Sequence, residues 1–161
     1  MAEQLRDFEE ARRTSWSHDW HPYEDYLTVH NRYMADLIGS GQVIRNGISI
    51  RDTRAGRRLV TVHIRGRVEC VNNVLIFVDK WLEARRGHQN QHEVRGYRYS
   101  YHAWLRNTER TILRYDSAHG EELHRHVLRP DGNEVREPIT IDRLPTLTDF
   151  IEESIALAAT L

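Results

Sequence analysis

From residue 58 to residue 141 apolar and polar side chains alternate with a period of two, and short polar turns interrupt the pattern. Val60, Val62 and Ile64 alternate with Thr61, His63 and Arg65. Val68 and Cys70 continue after Gly66, and "NN" at 72–73 offers a turn into Val74, Ile76 and Val78. After the polar stretch "RRGHQNQHEVRG", expected as a loop, Tyr97, Tyr99, Tyr101, Ala103 and Leu105 alternate again. "RNTE" turns into "RTILRYD", and "PDGN" at 130–133 separates "LHRHVLR" from "EVREPITI". "RNG" at 45–47 reads as another tight turn between short strands. Successive side chains of a strand point to opposite faces, so this alternation fits a sheet that can hide one face under helices. Strand–turn–strand runs with no helix between them predict an antiparallel meander.

The helical period appears only at the ends. Leu5, Phe8 and Ala11 mark a first helix over about 3–13. A second starts near Pro22 and carries Tyr23, Tyr26, Leu27, His30, Tyr33, Met34, Leu37 and Ile38 on one face, until "GSG" at 39–41 stops it. A closing helix follows Pro145, with Thr146 as N-cap and Leu147, Phe150, Ile151, Ser154 and Ile155 inward. The expected fold is α+β: an antiparallel meander of six to eight strands, two N-terminal helices and one C-terminal helix. A chain of 161 residues supports one domain, with 1–41 as a helical N-terminal extension and 42–161 as the sheet domain with its closing helix.

Composition narrows the class. With 29% charged and 39% hydrophobic residues, and a mean hydropathy of −0.69, a soluble globular protein is expected rather than a disordered one. The start "MAEQLRDFEEARR" lacks the apolar run of a secretory signal, and "VNNVLIFV" and "SIALAATL" are too short to span a bilayer. No membrane association and a cytoplasmic location are therefore expected. Cys70 is the only cysteine, which excludes an internal disulfide or a cysteine-based zinc site. Lys80 is the single lysine, as arginine-rich coding from a GC-rich genome produces. The net charge of −1 is unevenly spread: −4 over residues 1–41, +7 over 42–98 and −4 beyond. The middle third should present a basic surface able to attract a polyanion or an acidic partner.

The chemistry-bearing stretch is "RYDSAHGEELHRHV", residues 114–127. His124 and His126 share one strand face about 7 Å apart, and Arg114 and Asp116 share one face of the preceding strand. If the two strands pair, all four meet in one patch, and His119 in the connection could fold back onto it. Three readings compete. A histidine pair beside an arginine can cleave RNA without metal, one imidazole as base, the other as acid, with the guanidinium on the phosphorane. Asp116, His119, His124 and His126 could instead ligate zinc or manganese. The third is an ordinary polar hairpin with an Arg114–Asp116 charge pair.

Elsewhere, His18 and His21, interspersed with Trp16 and Trp20, fit a helix-entry loop, and His30 fits a core histidine on a helix. The tyrosines 97, 99 and 101 could stack on bases or pack in the core. Arg51, Arg54, Arg57 and Arg58 surround a "DTRAG" turn and could grip phosphate or only solubilise it. No glycine-rich nucleotide loop, G-x-S-x-G or H-E-x-x-H is present.

"YRYSYHAWL", "ILRYDSAHG", "LHRHV" and a proline-led "LPTLTDFIEESI", in that order, resemble the TumE-type toxins of bacterial toxin–antitoxin systems. The resemblance covers roughly 58–158 and is clearest from 97 onward. Ser117 stands where that family usually has asparagine. It implies a toxin held in check by a cognate antitoxin, commonly a helix-turn-helix protein, with Arg114, Asp116, His124 and His126 as the functional positions. With the basic middle third, the expected activity is a metal-independent ribonuclease without cofactor. Arg57, Arg58, Tyr99 and His119 are then the expected substrate contacts. The alternatives are a metal-dependent nuclease or a non-catalytic module that binds nucleic acid or protein. The N-terminal helices, with Trp16, Trp20 and Tyr23, would cover the sheet or form a homodimer or antitoxin contact.

Overall fold

The computed structural model describes residues 19–117 and 122–161. In chain order they form β1 (His21–Pro22), α1 (Tyr23–Gly39), β2 (Val43–Asn46), β3 (Ser49–Ala55), β4 (Arg58–Cys70), β5 (Val74–Arg86), β6 (His92–Leu105), β7 (Arg110–Asp116), β8 (His124–Leu128), β9 (Glu134–Pro138) and α2 (Leu147–Ala158). The nine strands make one sheet in the order β2-β4-β5-β6-β7-β8-β9, with β3 also on β4 and β1 on β6. Every pairing is antiparallel. The α+β meander is therefore present, with more strands than expected. Of the two N-terminal helices expected, the described residues contain one, α1; the other, over 3–13, lies outside them.

Turn chemistry accounts for the hairpins. Asn72 and Asn73 both take positive φ (59° and 59°), the conformation a two-residue hairpin needs to match strand twist. Glu109 (φ 53°) serves the β6–β7 turn and Gly132 (φ 86°) the β8–β9 turn. "RNG" is a correction: β2 and β3 both pair with β4, Asn46 against Val68 and Ser49 against Arg65, so the chain runs on without reversing. The break exists because two backbones touch there. A Cβ on Gly66 would lie 2.2 Å from the Gly47 carbonyl oxygen, so only glycines admit the approach.

The expected loop "RRGHQNQHEVRG" is also mostly strand, since Arg86 pairs with His92 and the turn is confined between them. Cross-strand ion pairs hold this end: Arg85 Nε to Glu93 at 2.8 Å and Arg95 Nε to Glu83 at 2.9 Å. Opposite charges facing one another across strands replace apolar alternation here, which is why the period-two signal fails.

One sheet face is covered by both helices. Tyr26, Met34 and Leu37 of α1 and Phe150 and Ile151 of α2 pack with Val62, Ile64, Ile76, Val78, Tyr101 and Leu113. Burial of such side chains stabilises by about 1.5–3 kcal/mol each, enough to dock two short helices on a sheet. The expected cap holds α2, with the Asp149 N–H donating to Thr146 Oγ1 at 3.1 Å. The tyrosine stripe divides: Tyr99 and Tyr101 are buried under the helices, while Tyr97, at the β5–β6 bulge, is exposed.

Lys80 is the exception on that face. It is buried and donates to the Tyr26 hydroxyl at 2.7 Å, with the Tyr26 and Tyr99 rings 5.2 and 5.3 Å away. It also borders a cavity of about 50 Å³ between α1, the sheet and the start of α2. Burial pushes its ammonium down to about 7, and burial, with Lys80 adding repulsion, pushes the neighbouring His30 down to about 4. An unfolded lysine holds its proton to about 10.5, so between the two values the unfolded chain binds more protons and folding stability rises with pH. The urea midpoint should climb from pH 7 to pH 9. In Lys80→Met the climb should flatten; an identical slope in both proteins would show that Lys80 is not the source.

Candidate functional site

Among the described residues no helix lies on the other sheet face, and the β6–β7–β8 register assembles the histidine hairpin there. Ser100 pairs with Asp116, and Asp116 with His124; His102 pairs with Arg114, and Arg114 with His126. Residues opposite one another in a sheet share a face, so these pairs form two adjacent rows across three strands. Arg114, Asp116, His124 and His126, expected to converge if the strands paired, do converge. His119 lies outside the described residues.

Local partners give each side chain a distinct state. Asp116 is buried and takes a hydrogen bond from Arg114 Nη2, which anchors the guanidinium. Among the described residues, the buried Arg114 Nε has no hydrogen-bond partner. The His124 and His126 rings meet edge to face, 4.9 Å between centroids. His124 Nδ1 lies 2.8 Å from the Glu122 carbonyl oxygen. A carbonyl only accepts, so Nδ1 carries the proton and Nε2 is the basic nitrogen of the neutral ring. His126 Nδ1 is 2.6 Å from Glu134 Oε1, a carboxylate that orients the ring and supplies countercharge to its protonated form. Ser117 extends the ladder: its Oγ accepts from Tyr99 N–H and its N–H donates to Tyr99 O, both at 3.0 Å.

Three contributors were not legible from the sequence. His102, on β6, faces Arg114 and hydrogen-bonds through Nε2 with Thr111 Oγ1 at 2.8 Å. Its even-numbered position, opposite in parity to Tyr99 and Tyr101, was the available signal. Glu134 and Glu122 reach the histidines from β9 and from the segment before β8, and nothing local in the sequence marks them. Other expected contacts are elsewhere. Tyr99, 1% exposed, faces the helices on the opposite side of the sheet. Arg57 and Arg58, at the exposed β3–β4 turn, are seven residues along β4 from Arg65, roughly 23 Å from the row that holds His124. Among the described residues no three His, Cys, Asp or Glu side chains are grouped to hold a metal ion.

A match to the family model described as Toxin TumE covers residues 34–157, most of the chain. The chain belongs to the TumE toxin family. Membership implies a toxin-like protein with a cognate antitoxin as partner. No curated protein and no solved structure matches it. The family match contains all four converging residues, and no helix among the described residues is long and apolar enough to cross a membrane.

His102 reports on the site. Burial lowers its pKa, Arg114 lowers it further, Asp116 opposes them, and His126 adds a smaller lowering. Its imidazole resonances should titrate below the usual histidine range, near 6.5. In Arg114→Ala the midpoint should rise; no movement would show that the two side chains do not face each other in solution.

Proposed function

We propose that this TumE-family chain is a cytoplasmic, metal-independent ribonuclease that works through His124 and His126. One observation carries the reading: two imidazoles and a guanidinium share one patch on the sheet face away from α1 and α2, with the tautomer of one ring set and the other ring on a carboxylate. His124 Nε2 takes the proton of a ribose 2′-hydroxyl, whose oxygen attacks the adjacent phosphorus. His126 gives a proton to the 5′-oxygen as the P–O5′ bond breaks, leaving a 2′,3′-cyclic phosphate and a free 5′-hydroxyl. Arg114 stabilises the negative charge that builds on the phosphorane, and Asp116 is its positioning residue. A helix-turn-helix antitoxin would restrain the activity by covering this face.

His124→Ala and His126→Ala should each slow cleavage of purified RNA by roughly 10²–10⁴-fold, the range for a lost general acid or base. Arg114→Ala should cost a comparable factor. Activity should survive EDTA and follow a bell-shaped pH profile, because one imidazole must be neutral while the other is protonated. Growth arrest on expression should disappear in the double histidine variant. Arrest that persists in that variant would overturn the proposal, and loss in EDTA with rescue by zinc or manganese would move the site to metal chemistry. RNA binding without turnover would make the chain a binding module.

A further inference from the structure

Beside the histidine rows, on the sheet face away from α1 and α2, a groove of about 390 Å³ runs between β4, β5 and β6. Its walls are Arg65, Arg67, Phe77, Asp79 and Ser100, over a floor that includes Gly66. The register ties it to the site: Arg65 pairs with Asp79, Asp79 with Ser100, Ser100 with Asp116 and Asp116 with His124. Strands lie about 4.8 Å apart, so Ser100 is roughly 10 Å from His124, the reach of about one or two nucleotides of an extended single strand.

Charge on this strip is unbalanced in one direction. Its carboxylates are engaged: Asp79 with His63 Nε2 at 2.7 Å, Glu69 with Arg106 at 3.0 Å, Asp116 with Arg114, and Glu134 with His126. Arg65 and Arg67 are exposed, and neither forms an ion pair among the described residues. The groove also carries stacking surface. The Arg67 guanidinium lies 5.7 Å from the Phe77 centroid, and Phe77 stacks on Trp104 at 4.2 Å and 18°. Guanidinium planes and aromatic rings are the surfaces on which unpaired bases stack, and an uncovered sheet can present them where a duplex would bury its bases.

We propose that this groove is a nucleotide subsite for single-stranded RNA, with Arg65 and Arg67 on a backbone phosphate and the Arg67–Phe77–Trp104 stack against a base. The inference rests on the ribonuclease reading for its substrate, but binding can be measured without turnover. The test uses His124→Ala, in full-length protein, as the RNA-binding background. Affinity for a labelled single-stranded oligoribonucleotide and for a duplex of the same sequence is read by anisotropy across a salt series. Trp104 fluorescence gives a second signal.

The single strand should bind more tightly than the duplex. Adding Arg65→Ala and Arg67→Ala should weaken binding at least tenfold and reduce the salt slope by about 1.4, the share of two phosphate contacts on a single strand. The same pair in the wild-type background should raise KM for a long RNA. Arg57→Ala with Arg58→Ala, at the far end of β4, should change affinity less. Equal losses from the two arginine pairs would mean diffuse charge attraction and overturn the subsite. So would an unchanged affinity in the Arg65/Arg67 variant, even if histidine-dependent cleavage is observed. Conversely, single-strand binding lost in that variant, with no cleavage by the wild type, would keep the subsite and overturn the ribonuclease reading.

Discussion

The antiparallel register of β6, β7 and β8 is the constraint on which the site depends. It places His102 against Arg114 and Arg114 against His126 in one row, and Ser100, Asp116 and His124 in the next. Side chains alternate faces with a period of two, so a slip of one residue would send Arg114 under the helices and bring Leu113 and Tyr115 out into water. The penalty for that exchange is large on both faces. Leu113 is wholly buried, and Tyr115 packs edge-on to Phe150 of α2 at 5.8 Å. The hydrophobic core on one face thus sets the polar geometry on the other.

That division also separates two kinds of buried polar group. On the helix side, Lys80 keeps a tyrosine hydroxyl and two aromatic rings as its surroundings, and desolvation alone depresses its ammonium. On the opposite side, Asp116 is equally buried but anchors a guanidinium that reaches towards solvent. Arg125, on the helix-covered face of β8, joins Tyr115, Glu137 and Glu153 and so fastens β8 to α2. Alternate residues of one five-residue strand therefore serve opposite faces: Arg125 ties the sheet to its helix, and His124 and His126 lie beside Asp116 and Arg114.

Much of this was readable in advance where one physical rule dominated. Period-two patterning located the strands from Val60 to Leu105, paired asparagines marked a hairpin, and Thr146 marked the start of α2. Reading failed where two rules competed. "RNG" has turn residues, yet its glycine serves a close approach to Gly66 while the chain runs on. The charged stretch around Arg85 and Glu93 looks like a loop, yet it is strand because its charges pair across the ladder. Tyr97, Tyr99 and Tyr101 look like one stripe, yet a bulge turns the first out of the core.

The sequence by itself determined the α+β class, the antiparallel meander, the helix-covered face and the parity that sets His124 and His126 on one side of their strand. These follow from local periodicity and turn chemistry, which act over a few residues. Only the tertiary structure decided that Arg114 stands beside His126 and Asp116 beside His124, that His102 and Glu134 join them, and that Tyr99 does not. Those placements depend on register between strands and on which face the helices cover. Both are set by burying the whole apolar surface at once, a sum over the chain that no single motif contains.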